Sequence, residues 1–194
     1  MNLFFLDIDP KKCAIYHCDK HVVKMLLEIV QMLYTAHHIL KTINLPNDCY
    51  KKHSPQHPTV IWVRINQYNY MYAAKLGLFL AEEYTFRYNR VHSCEKHIIW
   101  LNENLPNFKL ENLPIFKKPV TCKKFEELGM TPIPLAMPDE SKRNDPIKSY
   151  RNYYMVHKFY FAKWTKRNIP WWFNYHSYLK YNKIMVQILQ KNTT

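Results

Sequence analysis

From Cys18 to Lys41, apolar residues return every three or four positions: Val22, Met25, Leu26, Ile29, Met32, Leu33, Ala36 and Leu40. That spacing predicts an amphipathic α-helix. A short apolar run, Leu3 to Leu6, precedes it. Asp9-Pro10 reads as a helix N-cap followed by proline at the first helical position, where no backbone N–H is needed. Residues 44–58 hold Pro46, Pro55 and Pro58 and predict a loop. Residues 59–90 predict two helical stretches broken near Asn66, the second carrying Tyr70, Met71, Ala74, Leu78 and Glu82 through Tyr88. Ser93 is placed to cap a short helix bearing Ile98, Ile99 and Leu101. Residues 105–146 hold seven of the twelve prolines and little periodicity. They predict a long loop, and such loops are usually functional or mobile. Asp145-Pro146 repeats the cap signature and opens a helix to about Lys166. Pro170-Trp171-Trp172-Phe173 closes the domain, and residues 176–191 read as an added amphipathic helix. The pattern predicts an all-α fold: one compact helical domain over 1–173, a proline-rich loop, and a C-terminal helical extension over 174–194.

Composition narrows the chemistry. Only Gly77 and Gly129 occur among 194 residues. A phosphate-cradling loop needs several glycines close together, so P-loop and dinucleotide-binding fingerprints are excluded. A turn-rich β-sandwich is disfavoured for the same reason. The net charge is +13, and aromatic residues make up 15% of the chain. Residues 109–194 carry 16 basic and 6 acidic side chains, against 12 and 9 in residues 1–108. Basic and aromatic residues together point to nucleic acid, with a merely solvated basic surface as the other reading. Five cysteines without a C-x-x-C pair do not form a disulfide framework, which favours a reducing intracellular compartment, cytoplasmic or nuclear. Asp7 and Asp9 follow the first apolar run directly, so no signal peptide is expected. No run approaches the ~18 apolar residues of a membrane span. The expectation is a monomer without membrane contact or cofactor.

The polar side of the 18–41 helix carries the candidate chemistry. His17, His21, Lys24, Glu28, Gln31, Thr35 and His38 project within about 100° of one another at 3.6 residues per turn. Three readings stay open. Glu28 could be an acid/base group beside cations that read phosphates. His17, His21 and His38 could hold a metal, although the histidine pair lacks the adjacent glutamate of H-E-x-x-H. The stripe could also be solvated, with structurally bonded histidines.

Asp19-Lys20-His21-Val22-Val23 followed by Glu28 resembles the D-x-H motif and downstream glutamate of the pyrimidine-dimer DNA glycosylases of phage and large algal viruses. His57-Pro58 to Trp62, Glu82-Glu83-Tyr84, Arg87-Tyr88-Asn89 and Ile169-Pro170-Trp171-Trp172-Phe173 are similar to that family's later landmarks, in the same order. The start of the chain also resembles phage-encoded proteins with a His-Cys-Asp-Lys-His motif. The glycosylase resemblance implies a mostly helical protein that binds double-stranded DNA and acts as an N-glycosylase with AP lyase activity. An N-terminal α-amine attacks C1′ of the damaged nucleotide, Glu28 assists, a Schiff base forms, and β-elimination nicks the strand. It further implies that His21 orients Glu28 or a phosphate, and that Asn2 supplies the amine once Met1 is removed. The sequence departs from the family at three places. Residue 2 is Asn, whose size slows methionine removal. Leu27 and Gln31 stand where the family has arginines, leaving Lys24 to replace part of that clamp. The segment 105–146 and the tail 174–194 have no counterpart.

Other candidates bear on nucleic-acid contact. Arg64, Arg87, Arg90 and Arg151 offer the planar fork that suits phosphates, or serve as ion pairs. Trp171 and Trp172 stack on bases or seal a core end. Tyr150, Tyr153 and Tyr154 interleave with Arg151 in the same two-sided way. Asp139 and Glu140 complete the Glu28 site or cap the next helix. A non-catalytic viral or phage nucleic-acid-binding protein and a metal-dependent nucleotide hydrolase are the alternatives to the glycosylase.

Overall fold

The computed structural model describes residues 1–108 and 120–174. Among them the fold is all-α: α1 Pro10–Tyr16, α2 Asp19–Ile39, α3 Pro58–Val63, α4 Gln67–Tyr88, α5 Glu95–Glu103, α6 Lys123–Glu126 and α7 Pro146–His157. The expected tail helix over 176–191 lies outside the described residues.

Helix α2 packs on α3, α4 and α5, and α4 also meets α1. The helices meet tightly at Gly77, where a Cβ would lie 2.5 Å from Ile98 Cδ1 and 3.1 Å from Ile29 Cγ2. One of the chain's two glycines is therefore needed for helix packing. Helix α4 ends on Asn89 at φ 52°, the left-handed cap that glycine usually fills and asparagine tolerates.

The run Leu3–Leu6 is buried without a partner strand among the described residues. Side chains answer its backbone. Leu6 N donates to Cys13 Sγ, whose thiol donates to Phe4 O at 3.2 Å. Leu6 O accepts Arg151 Nε at 2.8 Å, and Asp7 O accepts the Tyr72 hydroxyl at 2.8 Å. Buried peptide groups need such partners, and here they come from α1, α4 and α7. Phe5 sits at the centre, stacked on Tyr72 and edge-on to Trp62 and Phe125.

Two helix expectations need correction, and over its described part the proline-rich segment is a loop tied to the core. Phe125, Met130 and Ile133 join the core, Val120 pairs with Ile133, and Asn69 exchanges bonds with Thr131. Helix α5 is capped at Cys94, whose N–H donates to His92 Nδ1, and not at Ser93. Helix α7 stops at His157 instead of Lys166. The residues beyond it serve α2: Asp19 N donates to Lys163 O at 2.8 Å, and the Asp19 carboxylate accepts Thr165 N and Oγ1.

Candidate functional site

Glu28 lies midway along α2 and is buried because the N-terminal segment crosses over it. Its Oε2 accepts the Asn2 backbone N–H at 2.7 Å, and the Met1 amine lies 3.9 Å from the same oxygen. Lys24, one turn before it, reaches Oε1 at 3.6 Å with a side chain 69% exposed. Asn2 is held at both ends of its amide: Nδ2 donates to Ala136 O at 2.9 Å, and Oδ1 accepts Leu3 N at 2.8 Å. Tyr150, which donates to Pro134 O at 2.9 Å, lies 3.4 Å from that same Oδ1. The proline-rich segment thus helps set the residue beside Glu28.

Two histidines of the 44–58 loop complete the surroundings. The Met1 side chain is buried, and its sulfur is 3.2 Å from His53 Nδ1. His53 N donates to Thr35 Oγ1 at 3.0 Å, which ties the loop to α2. His57 caps α3, with Nδ1 accepting Thr59 N–H, so the proton of its neutral ring is on Nε2. Burial first, and then the Met1 amine, lower its proton affinity, while Glu28 opposes them. The sequence named His57 only as a landmark and His53 not at all. The one available signal was their position among the prolines of a loop.

The other end of the stripe is built differently. His17 is not on α2; it ends α1, and the chain breaks at Cys18 before α2 begins. It is fully buried, its Nδ1 lies 2.7 Å from Cys13 O, and burial pushes its pKa down to about 4. His21 meets the Tyr154 hydroxyl through Nδ1, lies flat on Phe4, and is edge-on to Phe161. Burial, with His17, Lys158 and Lys24 nearby, drives its pKa to about 2. Two helical turns, about 10 Å of rise, separate it from Glu28. The structure brings Lys24, not His21, to Glu28. His38 bonds Tyr50 O at 2.9 Å. Among the described residues no group of three or more His, Cys, Asp or Glu side chains is arranged to hold a metal ion, and His17, His21 and His38 are no exception.

Arg87 is the largest revision among the candidate phosphate contacts. It is buried and donates to Glu83 Oε2, Asp19 Oδ1, His17 O and Ile15 O, each at 2.9 Å. It brackets the α1–α2 junction to α4 and has no face toward a ligand. Arg167 closes the bracket by pairing with Glu83. Arg64 donates to Pro55 O at 2.6 Å and is half-buried. Arg90 is exposed, and Gln31 is partly exposed on α2 beyond Glu28. Arg151 is held by Leu6 O and Asp7 Oδ2, and its guanidinium lies over the rings of Tyr16, Trp171 and Trp172. The two tryptophans divide: Trp172 is buried, Trp171 is 76% exposed. Tyr150 and Tyr154 are core residues, whereas Tyr153 stacks on Phe4 under the Lys158 ammonium. Asp139 pairs with Lys142, and Glu140 faces His157 at 3.5 Å. No helix among the described residues is long and apolar enough to cross a membrane. Compared with known proteins, the chain matches no family model, no curated protein and no solved structure.

Proposed function

We propose that the Glu28 site acts on DNA as an N-glycosylase with AP lyase activity. The observation that supports this reading is one carboxylate accepting the Asn2 N–H at 2.7 Å with the Met1 amine 3.9 Å away. An amine beside a carboxylate is the pair needed to displace a base from a sugar. The amine attacks C1′, and the bond from C1′ to the base breaks with its electrons leaving on the base, which is then protonated. The amine loses a proton, the sugar ring opens, and a C=N bond forms. Removal of a C2′ proton then expels the 3′ phosphate. Glu28 stabilises the positive charge that develops on the sugar and relays protons to and from the amine. Removal of Met1 turns the Asn2 nitrogen, already against Glu28, into that amine. Flipping the nucleotide exposes C1′ at a cost of a few kcal/mol, least at a damaged step.

The test is reductive trapping. The protein is incubated with ultraviolet-irradiated and with abasic duplex in the presence of borohydride. The expected result is a covalent adduct, located by peptide mass at residue 1 or 2, and strand nicking that Glu28→Gln abolishes. Absence of both from either substrate would leave the protein a non-catalytic nucleic-acid binder, for which Glu28→Gln changes nothing.

A further inference from the structure

The Glu28 chemistry leaves unused two exposed lysines, Lys123 and Lys124, that the proline-rich segment places beside residues of α7. There it forms one wall of an open cleft of about 380 Å³. Lys123 and Lys124 line it together with Lys148 and Arg151 of α7, and so do Asp7 and Asp145. Both carboxylates are already engaged. Asp7 takes Arg151 Nη2 at 3.1 Å, and Asp145 caps α7 by accepting Lys148 N at 2.7 Å. The three lysines are exposed, and none forms an ion pair with the described residues. Glu126 ends α6 and Glu127 follows it, and neither lines the cleft. The lysines stand on fixed backbone: Phe125, one residue on from Lys124, is in the core, and Asp145 pins the start of α7. Like charges held together on a rigid wall attract an anion that spans them.

We infer that this cleft holds the phosphodiester backbone of a nucleic-acid strand. Lysines act as compact point charges and grip phosphates without reading sequence. The remaining lining is aliphatic or thiol, with no aromatic face on which a base could stack, so a strand fits better than a single nucleotide. The cleft and Glu28 lie at opposite ends of the N-terminal segment. From Asn2 to Asp7 that segment reaches at most about 17 Å, which is roughly five base-pair steps of duplex. The inference rests on the glycosylase reading only for which strand is held, and on the cleft itself for the phosphates.

The experiment measures fluorescence anisotropy of a labelled 20-base-pair duplex and of its single strand, across sodium chloride concentrations. Three proteins are compared: wild type, the cleft variant Lys123→Gln/Lys124→Gln/Lys148→Gln, and a control, Lys11→Gln/Lys12→Gln/Lys75→Gln, that removes the same charge from α1 and α4. Each lost duplex phosphate contact lowers the salt slope by about 0.9. The cleft variant is expected to lose about 2–3 from the slope and roughly ten- to a hundredfold in affinity near 0.1 M salt. The control should stay within twofold of wild type. Equal losses in both triples, or a slope change below one in the cleft variant, would overturn the inference. So would a cleft-dependent binding of inorganic phosphate or a mononucleotide as tight as that of the strand. Circular dichroism checks that the variants fold, and the single variant Lys124→Gln should show about a third of the slope change. The binding assay is read without chemistry. Failure of adduct trapping therefore leaves this measurement intact.

Discussion

Helix α2 carries two polar clusters built in opposite ways. At the start of α2, Asp19 meets Arg87, Thr165 and the Lys163 carbonyl, while His21 is packed between Phe4 and Tyr154. These partners come from the N-terminal segment, α4, α7 and the segment after it, and the polar groups spend their bonding capacity on the fold. Two turns later, Glu28 has a backbone N–H, an amine and a solvent-facing lysine. None of those partners is an interior side chain. A polar stripe at helical spacing is therefore not one object. What a member does is decided by what the rest of the chain lays against it.

The comparison breaks most sharply at Glu28. Glu28→Gln keeps an acceptor for Asn2 N–H but loses the charge. We expect nicking to fall by about 10²–10⁴-fold, the usual scale for a positioned proton-transfer group. The melting midpoint should move little, since Lys24 is exposed and such a pair is worth under about 1 kcal/mol. Gel assays and thermal melts on the same preparation check both halves. A large loss of stability would put Glu28 in the same class as Asp19.

Arg87→Ala should do the reverse. It removes four hydrogen bonds and takes the shared cation from Asp19 and from interior Glu83, which keeps only Arg167. Breaking a buried pair costs about 3–5 kcal/mol. Denaturant unfolding measures it, and DNA affinity per folded molecule should be unchanged. A protein of normal stability with weakened binding would return Arg87 to the DNA-contact role expected from the sequence.

Acid should weaken the first cluster. His17 and His21 are held neutral by burial, with pKa values pushed down to about 4 and about 2. Depressed histidine pKa values mean that the unfolded chain binds protons first. Their contribution is complete above the ordinary value near 6.5 and is lost as pH falls from there toward about 4, and further for His21. For fully buried His17 the loss reaches about 2 kcal/mol at pH 5. Melting midpoints between pH 7.5 and 4.5 should hold a plateau and then drop; a flat profile would mean that these rings titrate normally.

Much of the fold was legible. Periodicity located α2 and α4, Asp-Pro pairs marked the starts of α1 and α7, and Asn66 marked the break before α4. Pattern failed where a distant partner set the local structure. Helix α7 ends early because Lys163 and Thr165 serve Asp19, a contact across more than 140 residues that no local rule contains. The proline-rich segment has no period because it enters the core through single residues such as Phe125 and Ile133. Of the site, Glu28, Lys24 and Asn2 could be named from spacing and resemblance. His53 and His57 could not, since they reach Glu28's surroundings through a loop. Arg87 was misplaced because an arginine in the last turn of a helix gives no sign of which way it is buried.

The smallest effect discriminates most finely. Lys24 is 69% exposed and pairs with Glu28 one turn away, so as an ion pair it contributes only about 0.3–0.5 kcal/mol. If its role is instead to hold a phosphate beside the flipped nucleotide, Lys24→Gln should weaken DNA binding a few-fold. The salt slope should fall by about 0.7–0.9, with single-turnover nicking at saturating DNA left intact. Lys24→Arg should restore the slope, because a cation is all that a phosphate contact requires, while the fork geometry is free to differ. A single-turnover rate that falls as far as in Glu28→Gln, without change in slope, would move Lys24 from gripping the strand to the chemical step. The open half of the stripe would then be a two-residue catalytic unit, and not a carboxylate beside a phosphate anchor.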